Sequence, residues 1–299
     1  MRLACRSRIP LRCACLAAAF LFAGALPVFA LDWPVAKRII AGTFGEDQGG
    51  RFFDGLDIGG GEQDVHAVLP GELVFRYEEK EDFSSLPRGL GSFVVLQHEG
   101  KIETISCNLK KDSLGPLRMK YAAGEQLGVS GDSGYSDGTH VHFSVYDEET
   151  ASFINPLSLL PPAGDTQPPV IKKVILSVGD TLFPLENGAA VPAGRAVVLA
   201  NAYDLRPDVK FFWPVAPYSV RLNIDGKELS RIVFDSLQAA DGRMSLGSSK
   251  LTLADVYTGD ALLKCGSADL HAGTSHLILS VRDFVGNETT KEISFTVRE

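Results

Sequence analysis

Gly138-Thr139-His140-Val141-His142-Phe143-Ser144-Val145 is the stretch on which the reading of this chain turns. Side chains on a β-strand alternate between faces with a period of two. As a strand, the segment sends His140 and His142 to one side and Val141, Phe143 and Val145 to the other. One face is apolar and belongs on a core. The opposite face carries two imidazoles side by side, the residue types suited to a metal ligand beside an acid/base group. A His-x-His pair alone fits two surface histidines equally well, so the surrounding residues decide.

Short strand signals recur on both sides of it. Asp64–Val68, Gly71–Tyr77, Ser92–His98, Lys101–Cys107, Glu125–Gly131 and Thr139–Tyr146 read as strands, and the polar run 78–91 reads as a loop. Arg38 to Gly45 reads as a strand and turn. Glycines punctuate the chain at 49, 50, 55 and 59–61. No amphipathic helix shows, so residues 31–160 are expected to form an antiparallel all-β domain. Pro161-Pro162-Ala163-Gly164-Asp165-Thr166-Gln167-Pro168-Pro169 is the linker candidate. Beyond it, strands at Val170–Val178, Ala196–Tyr203, Tyr218–Ile224, His276–Asp283 and Thr289–Val297 predict a β-sandwich over 170–299, its last two strands joined by a turn at Phe284–Asn287. This half offers no catalytic constellation. His271 and His276 have no clustered acids beside them, and Asp204 and Asp208 read as turn residues.

The first thirty residues differ from the rest. Arg2, Arg6, Arg8 and Arg12 precede a short apolar run from Leu16 to Val28, and Val28-Phe29-Ala30 offers a small-x-small cleavage site. This is the pattern of a secretory signal peptide cut after Ala30. The run is short for a membrane span, and Cys13 and Cys15 precede it, whereas a lipoprotein cysteine would follow. A soluble exported protein is expected, periplasmic or extracellular. Cleavage removes four arginines and no acid, taking the net charge from −8 to −12. So acidic a chain excludes nucleic acid as a partner, which needs a basic footprint. It also argues against simple electrostatic adhesion to acidic wall polymers or anionic lipid. Only Cys107 and Cys265 remain after cleavage, open to an interdomain disulfide or to two buried thiols.

Residues 40–160 resemble the lysostaphin/LytM-type zinc endopeptidases, which cut peptidoglycan peptides. Gly138-Thr139-His140-Val141-His142-Phe143 is similar to the family's closing Gly-Pro-His-x-His-Phe segment. Gly124-Glu125-Gln126-Leu127-Gly128-Val129-Ser130-Gly131 with Ser133-Gly134 looks like the turn-rich run before it. Ala67-Val68-Leu69-Pro70-Gly71 and Val94-Val95-Leu96-Gln97-His98 look like family strands. The resemblance implies zinc ligands at Asp57 and His142, a catalytic histidine at His140, and a substrate groove along Gly131, Ser133, Gly134 and Thr139. It also exposes two departures. Phe53-Asp54-Gly55-Leu56-Asp57 aligns with His-x-Gly-x-Asp, so the remaining zinc-ligand position holds Phe53. Thr104-Ile105-Ser106-Cys107-Asn108-Leu109 aligns with the Tyr-Ala-His-Leu segment, so the other catalytic position holds Asn108.

Catalytic zinc is usually held by three protein ligands with a fourth position for water. A phenyl ring offers no lone pair, and without zinc no water is activated near neutral pH. Asn108 can donate a hydrogen bond but cannot shuttle a proton. His66, His98 and Cys107 are the candidate substitutes, although strand alternation turns Cys107 away from Asn108. The expectation is therefore a module without a cofactor, in which Asp57 and His142 pair with each other. It would bind peptidoglycan or regulate a cell-wall hydrolase, as the resemblance implies for relatives that lost their zinc ligands and activate amidases. Two alternatives stand beside it. One is an active zinc endopeptidase with a substituted ligand set. The other is an envelope structural or adhesion protein that reuses both β-domains. In the leading reading, the edges at Asp165–Val170 and Asp283–Asn287 look like those of a bacterial immunoglobulin-like domain, so the β-sandwich over 170–299 is expected to be immunoglobulin-like and to mediate contacts.

Overall fold

The computed structural model describes residues 31–79, 89–162, 164–205, 213–240 and 242–299. The first half supplies ten strands: β1 Ile39–Gly42, β2 Leu56–Gly59, β3 Asp64–His66, β4 Gly71–Tyr77, β5 Ser92–Gln97, β6 Ile102–Leu109, β7 Lys120–Tyr121, β8 Gln126–Val129, β9 Val141–Asp147 and β10 Ser152–Ile154. The second half supplies twelve: β11 Val170–Val178, β12 Thr181–Pro184, β13 Ala190–Pro192, β14 Gly194–Leu205, β15 Pro214–Val215, β16 Ser219–Ile224, β17 Lys227–Val233, β18 Ser236–Ala240, β19 Arg243–Leu246, β20 Leu263–Leu270, β21 Gly273–Arg282 and β22 Glu288–Arg298. Most of the loop expected over 78–91 lies outside the described residues, as does Asp208.

The fold is all-β, an antiparallel β domain followed by a β-sandwich. In the first half, β10, β9, β6, β5, β4 and β7 lie side by side, with β2 also paired to β9 and β1 to β2; β3 and β8 form a separate ribbon. Alternation along each strand gives the main sheet two unlike faces. Leu56, Ile58, Val94, Leu96, Val141, Phe143 and Val145 point to one side and are buried with Trp33, Ile40 and Leu109. The other side carries the candidate site.

The sandwich packs one sheet, β12-β11-β14-β15 with β20 on β14, against β13-β22-β21-β16-β17. β13 joins β22 in parallel. The sequence reading missed several of these strands, β17 and β20 among them. Lys227–Val233 and Leu263–Leu270 interleave charged, Gly and Ser residues with their apolar ones, so neither shows a clean alternating pattern.

The two halves share structure. The β18–β19 hairpin of the second half extends the first-half sheet, with Phe153 opposite Leu237 across β10 and β18. Phe44 and Phe52, from the loop before β2, are buried in the cluster that forms the sandwich core, with Phe234 and Tyr257. The Tyr257 hydroxyl donates to the Gly45 carbonyl at 3.1 Å. Glu46 Oε1 accepts from Thr43 N (2.8 Å), Thr43 Oγ1 (2.8 Å) and Ala216 N of the second half (3.1 Å). Burial drives the Glu46 carboxyl up to about 7; the hydrogen bonds from Thr43 and Ala216 offset it only in part. The loop leading into the site is thus strapped down by the second half.

Candidate functional site

Three strands bring the site together. In register, Asp57 of β2 stands opposite His142 of β9, and His142 opposite Cys107 of β6. Directly opposed residues of an antiparallel pair share a face, so these three form one row. His140 precedes β9, held by a bridge to Gly131.

His142 is the hub. Its Nδ1 lies 3.0 Å from Asp57 Oδ1, and its Nε2 lies 3.1 Å from Asp54 Oδ1 and 2.8 Å from Ser144 Oγ. Burial alone would depress the imidazolium; Asp54 and Asp57 outweigh it and raise the pKa to about 9. The ring is therefore a cation at neutral pH and donates from both nitrogens. Burial also opposes the charge on Asp54, but the His142 hydrogen bond and charge prevail and hold its carboxyl below the usual range. Ser144, His142 and Asp57 stand in the order of a Ser–His–Asp relay, yet they cannot act as one. Ser144 is 2% exposed, and an imidazole already protonated takes no proton from a hydroxyl.

Phe53 stands beside His142. Its ring packs edge-on against the His142 ring, centroids 4.8 Å apart at 61°, and is buried. Gly42 leaves room for it: a Cβ there would lie 3.1 Å from the Phe53 ring. Gly55 is required for close approach. A Cβ at that position would sit 2.5 Å from the Phe143 carbonyl and 2.6 Å from Ser144 Oγ.

Asn108 sits at a left-handed backbone position, φ 58°, where Asn is among the tolerated residues. Its amide nitrogen donates to the Ser133 carbonyl at 2.8 Å and the Tyr135 carbonyl at 3.2 Å. His140 Nε2 is 3.4 Å from Asp57 Oδ1, and its Nδ1 is 2.8 Å from the Gly138 carbonyl.

None of the candidate substitutes completes a metal set. Cys107 does face His142, but burial, reinforced by the charges of Asp54 and Asp57, pushes its thiol far up, and the thiolate is the ligand form. Cys107 and Cys265 are both free and buried. His98 is spent on the Pro70 carbonyl and Thr104 Oγ1, both at 2.8 Å. His66 belongs to the separate β3–β8 ribbon. Among the described residues, the trio placing its ligating atoms within 4.8 Å of one another is Asp165, Asp204 and Asp283, away from this site. Asp283 Oδ1 there accepts from Gly286 N and Asn287 N, closing the β21–β22 turn. The residues around His142 do not fit a zinc ion.

The residues expected along a groove differ in exposure. Gly131, Ser133 and Gly134 are buried, while Thr139 is exposed. Ser133 Oγ donates to the Leu109 carbonyl and accepts from Ser92 N at 2.8 Å. A Cβ on Gly131 would lie 2.4 Å from Lys110 N. Gly131 and Ser133 thus pack loop against strand. Sequence reasoning missed Asp54 and Ser144. Ser144 was within reach, since period two puts it on the His142 face; Asp54 became visible only through tertiary contact.

A sheet of this order carries on its open face a buried histidine set between two carboxylates. Residues 51–156 match the profile of peptidase family M23, and a second profile matches residues 168–298. The chain thus carries a domain of peptidase family M23 followed by a second domain. An uncharacterized protein of Treponema pallidum (strain Nichols) is 30% identical over 89 residues, covering 27% of this chain and 60% of that protein. Solved structures with similarity include a zinc-containing peptidase from Vibrio cholerae, at 21% identity over 39% of this chain and 36% of that one (TM-score 0.33). The catalytic domain of lysostaphin from Staphylococcus simulans is 21% identical over 35% of this chain and 76% of its own (TM-score 0.29). The SpoIIQ–SpoIIIAH pore-forming complex has a chain 21% identical over 44% of this one and 92% of its own (TM-score 0.37).

Proposed function

We propose that this chain is an exported, non-hydrolytic M23-type module that uses its former substrate face to bind peptidoglycan or a protein that acts on it. The observation that carries this reading is the Phe53–His142 contact. A phenyl ring occupies the place of a ligand, and the histidine that would hold metal spends both nitrogens on Asp54 and Asp57. Chemistry at this site reduces to charge and hydrogen bonding. Asp57 and Asp54 hold the imidazolium, His140 adds a second ring at Asp57, and Asn108 ties the loop at 133–135 to β6. The commitment of His142 to Asp54 and Asp57 and the ring of Phe53 support a site that does not activate water. The second domain supports the binding role by fixing the loop that carries Phe53, through Phe44, Glu46 and Phe52.

The test is twofold. Purified sacculi incubated with the chain should release no new amine ends. The chain should either pellet with the sacculi or raise the rate of a cell-wall hydrolase added with it. Release of peptide ends that stops with a chelator would establish the zinc endopeptidase instead. Neither pelleting nor stimulation would leave an envelope structural protein as the better description.

A further inference from the structure

The face that carries His142 does not end at β9. Register follows it across the sheet. The His142 row continues through Cys107, and the next row runs from Ser144 to Ile105, Val95 and Phe75. Tyr77 pairs with Phe93 beside them. Phe75 and Phe93 stack with centroids 5.5 Å apart, and Tyr77 and Phe93 lie 6.1 Å apart. Phe75 is 53% and Tyr77 41% exposed, large values for aromatic side chains gathered in one patch. At the other end the same face is already an interface. Phe153 meets Tyr146 there at 5.1 Å and packs against the core of the second domain.

The polar end has a sign. Two aspartates, Asp54 and Asp57, converge on His142 there. The Asp54 side chain is 40% exposed. Stem peptides and wall polymers lack large apolar side chains, so they do not complement the aromatic end of this strip.

Resting on the binding reading above, we infer that this face takes an extended segment of a partner protein, with a Lys or Arg set against Asp54 and apolar side chains laid over Ile105, Phe93, Phe75 and Tyr77. The spacing suits such a segment. From β9 to β4 is three strand spacings, about 14 Å, and alternate side chains of an extended peptide repeat every ~6.7 Å. A basic residue followed by apolar residues two and four positions later covers that distance. The mode is anchoring by a central apolar cluster with a charge fixing the register.

The experiment is selection of a random-peptide display library on the immobilised chain, followed by fluorescence anisotropy with the enriched peptides made synthetically. The expected motif is a basic residue with apolar residues at the second and fourth positions after it. Asp54→Asn should weaken binding about tenfold and remove the preference for the basic residue; Phe75→Ser with Tyr77→Ser should weaken it at least as much. Phe75 and Tyr77 are solvent-exposed and Asp54→Asn keeps the side-chain shape, so the variants are expected to fold, and their unfolding midpoints check this. No enrichment, or enriched peptides that bind both variants as they bind the parent, overturns the inference. A parallel pelleting arm with purified sacculi separates the two claims. Pelleting that depends on Asp54 without peptide enrichment removes the protein partner but leaves the binding module. Metal-dependent cleavage removes the binding module itself.

Discussion

Removing the charge pairing around His142 should change how stability depends on pH, by an amount the structure sets. Burial lowers the imidazolium pKa, the two carboxylates raise it further, and the result moves from the ordinary 6.5 to about 9. A raised histidine pKa contributes stability that is complete below the unfolded value and is lost as pH climbs through the folded one. The window here therefore runs from 6.5 to about 9. Converted at 1.36 kcal/mol per pH unit, the contribution is roughly 3 kcal/mol at most. The perturbation is Asp54→Asn, which removes the partner on Nε2 and leaves Asp57 on Nδ1. It should lower the titration midpoint of His142 and flatten the stability loss across that window. Two assays read this. Long-range nitrogen–proton NMR of the ring should show both nitrogens protonated at pH 7.5 in the parent chain. Urea unfolding between pH 6 and 9.5 should show the slope in the parent and its reduction in the variant. A His142 that is neutral at pH 7.5, with one bare nitrogen, would refute the reasoning outright.

Three further outcomes are expected. Glu46 is pushed up to about 7 by burial, so stability should also fall as pH rises from 4.5 to about 7, and Glu46→Gln should remove that earlier slope in the same urea series. Gly55→Ala should destabilise by about 1–3 kcal/mol, since the new methyl meets the Phe143 carbonyl and Ser144 Oγ at contact distances no Cβ tolerates; thermal unfolding measures it. Asn108→Ala should cost about 2–3 kcal/mol through the left-handed backbone and two lost hydrogen bonds, while Asn108→Gly keeps the backbone relaxed and should cost about 1 kcal/mol. An equal cost for the two would show that backbone conformation contributes nothing at this position.

Much of the site was legible because strands with a buried face announce themselves by alternation. Val141, Phe143 and Val145 gave away the core side of β9, and His140 and His142 followed on the other. The pairing of Asp57 with His142 was likewise foreseeable once Phe53 was seen at the ligand position. What stayed hidden depends on contacts between distant segments. Asp54 reads as an ordinary loop acid until β2 is laid beside β9. Ser133 and Gly134 are groove residues only through the family resemblance, and their close packing against Gly91 and Leu109 has no local sign in the sequence. Phe44 and Phe52 read as parts of a Gly-rich loop, yet they complete the core of the other domain. A hairpin as short as β18–β19 carries no local sign that its partner strand lies some eighty residues earlier, at β10.

The most direct measurement is zinc content of the purified chain after incubation with excess zinc and gel filtration, beside a Phe53→His, Asn108→His double variant. The parent should retain none, and the double variant should recover close to one equivalent, since Phe53 and Asn108 stand where the resemblance places a zinc ligand and a catalytic histidine. Close to one equivalent in the parent would contradict the replacement of the metal by the Asp54–His142–Asp57 ion pair.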